Sequence, residues 1–354
     1  MLKLIRIAFL LLFTIAVHGG ELQPAVSLAQ PSQQWVAQTL PMTSVAPAST
    51  YVAQETSRRE KDPLRWWLAS DVLVWQPHLR SQDFVAVEDG SQSAIGAGNA
   101  RHAELDRDAG FRLNLGMHAG SGWGLVFGYT NFSSSGFTSV ERPSPSHVLI
   151  STFSHPQGPD TADSATANTT LDLSVFDLSI RSQIIRSADT KVNLMGGVRW
   201  ASIDSELLAA FQGQDFRFGG GEIFDRSEMD AFGLFGGGEV NWRLVDGWSI
   251  YGQATVGALY GRMHQTRTEV NRGGLDQVVD YQDQFSQPVF NIDARLGLSK
   301  AIGRVQFRTG YDMSIWTNVA ERLRFSDDRQ EAAYGTSSGD LLLEGLFFQG
   351  NVCW

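Results

Sequence analysis

Residues 110–132, GFRLNLGMHAGSGWGLVFGYTNF, decide the fold. In the first half of this stretch every second residue is apolar, and the residues between are polar or glycine. A period of two is typical of a strand with one oily face and one wet face. The Gly-Ser-Gly at 120–122 separates this half from a second alternating half that begins at Trp123. The stretch therefore predicts two antiparallel strands joined by a tight turn.

The same alternation recurs from Arg65 to the last residue, in segments of about ten residues, and helical spacing is nowhere sustained. Clean alternation runs through 109–118, 123–130, 191–200, 232–243, 248–260, 290–296 and 305–315. Less regular segments cover 65–76, 169–182 and 341–354, and a change of phase near Val175 and Phe176 predicts a β-bulge. The count is about ten strands, within a range of roughly eight to twelve.

Composition excludes several classes of protein. Of the 354 residues 42% are hydrophobic, which is too many for a mainly disordered chain. The net charge of −10 argues against general nucleic-acid binding. The lone Cys353 rules out an intramolecular disulfide framework. A mean hydropathy of −0.15 does not distinguish a soluble protein from a membrane barrel, because the apolar and polar residues of an alternating strand cancel in the mean.

The N-terminus predicts export. Lys3 and Arg6 precede the apolar run 7–17, so residues 1–29 are expected to be a signal peptide, with an uncleaved anchor as the alternative. Residues 30–62 are rich in Gln, Pro, Ser and Ala without a period, which indicates a flexible periplasmic linker. The predicted barrel domain is 63–354. Beyond the signal no window approaches eighteen apolar residues, which excludes a helical membrane protein.

Connections between the predicted strands alternate between tight and long. Tight links fall at 120–122, 187–189, 246–247 and 301–303, and long polar links at about 77–104, 133–168, 204–229, 262–287 and 317–340. Short periplasmic turns and long extracellular loops are typical of a transmembrane barrel. We therefore expect an all-β antiparallel barrel in the outer membrane of a diderm, Gram-negative-type bacterium.

Tryptophans are an independent signal, because indole prefers the membrane–water interface. Most of them fall at predicted strand ends, although a soluble sandwich with aromatic core residues is the alternative. The predicted membrane-interface aromatics are Trp66, Trp75, Trp123, Trp200, Trp242, Trp248, Trp316 and Trp354.

Polar residues that alternate with the oily face are predicted to line the lumen, because a charge facing lipid costs roughly 2 to 4 kcal/mol. Most of the charges among them are basic, which gives a weak expectation of anion preference. Glu344 shares the oily face by parity and is expected near the outer rim. The predicted pore-lining residues are Arg112, Asn114, Lys191, Arg199, Glu239, Arg243, Asn291, Asp293, Arg295, Arg308 and Asp312.

The order of segments resembles a known family. The opening WWLASDVLVWQ, the strand pair 110–132, the motif LDLSVFDLSI, the pair VNLMGGVRW and WSIYGQATVGALYGR, and the ending GDLLLEGLFFQGNVCW are similar to the Legionella-type major outer-membrane-protein family of pore-forming proteins, especially its planctomycete-like members. The resemblance covers about residues 65 to 354 and implies a porin barrel of the outer membrane. It supplies no catalytic residue.

Motifs for chemistry are missing from the sequence. There is no HExxH, no GxSxG and no GK[ST] after either glycine triplet, 219–221 or 236–238. The second triplet falls mid-strand, where glycine relieves crowding or permits bending. We expect no catalytic residue, no metal and no cofactor, and therefore no enzyme.

The expected function is a porin-like outer-membrane channel for small polar solutes or ions. Salt-bridge packing of the interior is weighed against an open solute path, because a barrel of about ten strands is narrow. The alternative function is a non-conducting structural or adhesive barrel whose loops bind a partner. The expected partners are outer-membrane lipid, small polar solutes and, through the C-terminal strand that ends in Trp354, the barrel-assembly machinery, with no nucleic acid.

Overall fold

The computed structural model describes residues 65–80, 82–89, 98–119, 122–154, 161–325 and 334–354. The predicted signal peptide (1–29) and linker (30–62) lie outside the described residues. The strands are β1 (Arg65–Leu79), β2 (Asp83–Asp89), β3 (Gly98–His102), β4 (Asp108–Ala119), β5 (Trp123–Glu141), β6 (His147–Ser151), β7 (Thr161–Ala162), β8 (Ser164–Arg186), β9 (Thr190–Gly213), β10 (Phe216–Arg243), β11 (Trp248–Asn271), β12 (Asp276–Ile302), β13 (Val305–Phe325) and β14 (Tyr334–Cys353).

Ten of the described strands close into one barrel, in the order β1-β14-β13-β12-β11-β10-β9-β8-β5-β4 and back to β1. All these pairs are antiparallel. At the seam Trp66 and Trp354 exchange backbone hydrogen bonds of 3.2 and 3.0 Å. The prediction of an antiparallel barrel of about ten strands is confirmed. Within the described residues, no helix has the length and hydropathy of a membrane span.

The connections at one end of the barrel, the turn side, are tight, as the sequence predicts. Asp246 and Gly247 adopt positive φ angles of 53° and 76° in the link from β10 to β11. At the opposite end, the loop side, three predicted long loops are wrong in extent. Within 317–340, β13 continues to Phe325 and β14 begins at Tyr334. Residues 204–229 and 262–287 mostly continue the strands β9 to β12 and are joined by short hairpin turns. These extensions carry polar residues on their outer face, so the sequence lacks the lipid-facing alternation that reveals a strand.

Two other predicted loops contribute a second sheet. Strands β2 and β3 come from the connection after β1, and β6 and β7 from the connection after β5; they pair in the order β3-β2-β6-β7. We call these four strands the lid sheet. Phe84 and Leu149 of the lid sheet are fully buried in one cluster with Leu207 and Phe211 of β9. The lid sheet therefore packs against the inner face of the barrel on the loop side.

The predicted β-bulge at Val175 and Phe176 is wrong. The pairing of β8 runs in regular register through both residues, and its register shift falls between Gln183 and Ile185. The change of phase has another cause. On the loop side of this point the inward residues of β8, such as Leu173, are apolar; on the turn side the outward residues, such as Leu178, are apolar and 46% exposed.

Candidate functional site in the barrel interior

The inner face of the barrel changes from charged to apolar along β1 and β13. On β1 the inward residues run from Trp67 through the fully buried Asp71 to Leu73 and Trp75. On β13 they run from Arg308 through Asp312 to Trp316. Nearer the loop-side end the interior is polar again, with Asp225, Arg267 and Glu269 of β10 and β11 buried.

A first group of buried charges joins five neighbouring strands of the barrel: β4, β1, β14, β13 and β12. Arg295 Nη2 donates to Asp71 Oδ2 at 2.6 Å, and Arg112 Nη1 donates to Asp312 Oδ2 at 2.9 Å. Arg295 Nε also lies 3.2 Å from Asp312, and Gln349 Nε2 donates to Asp71 Oδ1 at 2.6 Å. Each carboxylate therefore has two basic or amide partners, as a charge out of water requires.

A second group is centred on Arg199 of β9. Its Nε donates to Asp177 Oδ1 at 2.7 Å, and its Nη1 donates to Asp293 Oδ2 at 2.7 Å and to Asn291. Ser314 Oγ donates to Asp293 Oδ1 at 2.6 Å. The guanidinium thus bridges β8 and β12 across the interior.

A third group is a carboxylate shared by two arginines. Glu239 Oε2 lies 3.4 Å from Arg181 Nη1, and Glu239 Oε1 accepts from Arg308 Nη2 at 3.4 Å. Arg308 also stacks over the ring of Tyr251, with 4.6 Å to the centroid. We call the three groups together the ion-pair cluster; its five arginines and five carboxylates balance in charge.

The ion-pair cluster forms the inner wall of a cavity of about 1190 Å³. At the turn side this cavity reaches Gly122, Ala188 and Gly303, and its other end is lined by Trp75, Leu173 and Trp316. We call it the turn-side cavity.

Next to the turn-side cavity, a layer of the interior is filled by apolar side chains, most of them exposed by no more than a few per cent. They come from strands all around the barrel, so they meet across its axis. We call this cluster the apolar layer: Leu73, Trp75, Leu105, Phe132, Leu171, Leu173, Val175, Ala201, Ile203, Met229, Ala231, Tyr251, Leu259, Met263, Val289, Trp316, Val319, Leu341, Leu343 and Phe347.

The structure places every residue predicted to line the pore on the inner face. Eight of them contribute to the three charged groups: Arg112, Arg199, Glu239, Asn291, Asp293, Arg295, Arg308 and Asp312. The remaining three line the turn-side cavity: Asn114, Lys191 and Arg243.

Sequence reasoning missed several charged residues of the interior. Asp177 and Arg181 lie on β8, where the predicted bulge hides their parity; a regular alternation from Phe176 would have found them. Asp71 is the one charged residue in the run 66–76, which is a usable signal.

Two of the predicted interface aromatics are wrong. Trp75 and Trp316 are each 1% exposed and point into the apolar layer, where Trp316 Nε1 donates to Ser314 Oγ at 2.9 Å. Trp75 has the parity of Asp71, so its side chain has to face inward. The other six face outward with exposures of 38% to 58%: Trp66, Trp123, Trp200, Trp242, Trp248 and Trp354.

Outward residues between these tryptophans form an apolar band. Leu234 of β10 is 68% exposed, Val256 of β11 58% and Phe290 of β12 50%. Glu344 faces outward on β14 and accepts from Tyr311 Oη at 2.7 Å; His78 Nε2 lies 3.4 Å from it. Its charge is therefore held by polar partners at the loop-side edge of the band.

On the loop side of the apolar band, the outer face of the barrel is charged. Arg226 Nη2 donates to Asp204 Oδ2 at 2.5 Å and lies 2.7 Å from Glu228 Oε1. The hydrogen bond to Asp204 and the neighbouring carboxylates raise the pKa of the Arg226 guanidinium. A charged outer face of this kind belongs in water, above the membrane.

The carboxylates of the ion-pair cluster are paired with arginines. Among the described residues, no group of three His, Cys, Asp or Glu side chains could hold a metal ion.

Some solved structures are similar in shape at low identity. The outer membrane protease OmpT from Escherichia coli gives a TM-score of 0.46 at 9% identity, covering 84% of this chain and 99% of that chain. A major outer membrane protein from Thermus thermophilus gives 0.32 at 10%, covering 83% and 100%. The toluene transporter TodX of P. putida gives 0.29 at 11%, covering 82% and 90%.

The family comparison covers all of the described residues. No curated protein matches the sequence. The family described as Legionella pneumophila major outer membrane protein precursor matches residues 61–354. The predicted family resemblance is thereby confirmed, and the protein is located in the outer membrane of a Gram-negative bacterium. This chain, an outer-membrane β-barrel with a charged, partly hollow interior, belongs to the Legionella pneumophila major outer membrane protein family.

Proposed function

We propose that this barrel is a pore-forming protein that passes small polar solutes or ions, and that the conformation described above is its closed state. The observation that carries the proposal is the turn-side cavity. It is lined by charged and polar side chains and extends from the turns to the middle of the barrel. A barrel that serves only as a scaffold has no need of such a cavity, since close packing would stabilise it more.

The apolar layer and the lid sheet are the proposed closure. Leu73, Leu341 and Leu343 are fully buried in the layer, so an ion at this level would have to lose its hydration without gaining polar partners. Hydrophobic constrictions of this kind gate channels by excluding water. Passage therefore requires that these side chains separate and that the lid sheet shift.

The second candidate is a non-conducting structural or adhesive barrel. One observation favours it: the apolar layer contains large, fully buried side chains such as Trp75 and Phe347, which resembles a permanent core. In that case the loop side of the barrel would be the surface that binds a partner.

Conductance across planar bilayers separates the two candidates. We expect the purified full chain to show rare, brief openings. The double variant Leu173→Ala and Leu343→Ala removes buried methyl groups from the layer, and each such change costs about 2 to 5 kcal/mol in a packed core. Since about 1.4 kcal/mol corresponds to a tenfold change in an equilibrium, the open fraction should rise at least about tenfold.

The matched control is the pair Leu234→Ala and Leu346→Ala. It removes the same atoms from side chains that face lipid, with exposures of 68% and 50%. Its openings should equal those of the unmodified chain. If the layer variant is folded, as judged by heat-dependent electrophoretic mobility, and remains silent, the non-conducting candidate is correct.

A further inference from the structure

The charge balance of the turn-side cavity differs between its depth and its mouth. Deep in the cavity the ion-pair cluster is neutral, because each arginine has a carboxylate partner. At the mouth, five basic side chains line the cavity against one acidic side chain, Asp189. We call the five the rim cations: Arg65, Arg186, Lys191, Arg243 and Arg304.

The rim cations have no carboxylate of their own. All five side chains are exposed, and none makes an ion pair with a described residue. The whole chain carries a net charge of −10, so this local excess of positive charge runs against the overall composition.

Three rim cations are neighbours on adjacent strands. Arg186 at the end of β8 is the direct cross-strand partner of Lys191 on β9. Arg243 ends β10, the next strand, and its backbone N–H donates to the backbone carbonyl of Asp189 at 2.7 Å. Like charges placed directly opposite each other destabilise a sheet, so this arrangement costs stability unless an anion lies between them.

Deeper in the cavity, two further arginines add positive charge. Arg181 and Arg308 both line the cavity, and their guanidiniums share the single carboxylate of Glu239. This group therefore carries one positive charge more than its carboxylate balances, and charged N–H donors are suited to oxyanion oxygens.

We infer that the turn-side cavity binds a small multivalent oxyanion, phosphate-like or polycarboxylate, that enters from the periplasm between Arg186, Lys191 and Arg243. This goes beyond the proposed passage of solutes, because binding needs only the cavity and not an opening of the apolar layer. The volume of about 1190 Å³ exceeds that of an ordinary small-ligand site, so such an anion fits with its water.

The test is calorimetric titration of pyrophosphate into the full chain in zwitterionic detergent at low ionic strength, about 20 mM, where screening is weak. The triple variant Arg186→Ala, Lys191→Ala and Arg243→Ala should weaken binding at least about tenfold, since it removes three charge-assisted contacts. The matched control removes three exposed loop-side cations, Arg101, Arg262 and Arg272, and should bind as the unmodified chain does.

A second variant separates binding from folding. Arg186→Glu places a carboxylate opposite Lys191, so it should leave the barrel at least as stable while abolishing binding. Equal affinity in the unmodified chain and in both rim variants, or no heat of binding from the folded unmodified chain, would overturn the inference.

A lipid source of the same chemistry is distinguished by a third measurement. In this measurement the chain is mixed with vesicles that contain phosphatidylglycerol. If the unmodified chain binds the vesicles, the triple variant does not, and free pyrophosphate is not bound, then the rim cations contact lipid headgroups and the inference is wrong. If the chain binds pyrophosphate but gives no conductance in planar bilayers, the proposed passage of solutes is contradicted and this inference still holds.

Discussion

The effect of a substitution in this barrel depends on what the new side chain would contact. Gly236 and Gly237 are adjacent on β10, yet a Cβ on Gly236 would have no neighbour closer than 3.7 Å, whereas a Cβ on Gly237 would lie 2.0 Å from the carbonyl oxygen of Ala254. The backbone of β11 lies so close to β10 here that only glycine fits at position 237. This agrees with the interpretation of the mid-strand triplet as relief of crowding.

Gly237→Ala should therefore destabilise the barrel, by about 1 to 3 kcal/mol, because the strands must separate to admit the methyl group. The free energy of unfolding in urea, measured with the protein in lipid vesicles, is the readout. Gly236→Ala is the matched control and should unfold at the same urea concentration as the unmodified chain. Equal losses in both variants would show that glycine is needed here for another reason.

Asp71 offers a second test at this scale. Its side chain is fully buried and accepts from Arg295 and Gln349. Replacing it by Asn leaves Arg112 and Arg295 with Asp312 as the one carboxylate that they share, so one buried positive charge is no longer balanced. Asp71→Asn should cost about 3 to 5 kcal/mol of unfolding free energy.

The comparison for Asp71→Asn is Asp204→Asn on the outer face, whose partner Arg226 is 38% exposed. An ion pair in water contributes about 1 kcal/mol or less, so this variant should be close to neutral. A small effect at Asp71 would mean that water screens the interior.

At the scale of elements, the strands that cross lipid could be predicted and the rest only in part. Alternation reveals a strand when one face meets lipid and the other water, and this holds for β4, β11 and β12. On the loop side of the membrane both faces change: the outer face is charged, and the inner face mixes apolar residues with buried polar ones such as Arg267 and Glu269. For that reason alternation alone predicts loops within 204–229 and 262–287, and interface positions for Trp75 and Trp316.

The lid sheet could not be predicted, because its short strands carry no sequence signal apart from a few β-branched residues. Its anchor is Leu149 on β6, which is fully buried against the barrel, while the next residue, Ile150, is only partly buried. Leu149→Ala should release the lid sheet, since a buried leucine contributes about 2 to 5 kcal/mol. Limited proteolysis should then cut within 147–151.

Ile150→Ala is the control for this experiment and should leave the sheet resistant to the protease. Equal resistance of both variants would indicate that other contacts, such as Gln82 Nε2 to Thr169 Oγ1 at 3.0 Å, hold the lid sheet without Leu149.

For the whole molecule, the sequence predicts which residues face inward, but it does not predict how these residues pair with one another in the interior. All the predicted lumen residues face inward, but the charges deep in the interior cancel, and the positive excess lies at the rim. Pairing across a barrel depends on strand order and shear, which alternation along one strand does not contain. The separation of a wet cavity from an apolar layer is likewise a property of the closed barrel.

The central claim is that one wall separates three environments: lipid outside, water in the turn-side cavity, and a dry layer beyond it. Single cysteines carrying a spin label test it directly after Cys353 is replaced by Ser, with Leu234→Cys facing lipid, Lys191→Cys facing the cavity and Leu343→Cys within the layer. We expect collisions with oxygen at position 234, with a water-soluble nickel chelate at 191, and with neither at 343. Strong collisions with the nickel chelate at position 343 or 234 would contradict the claim.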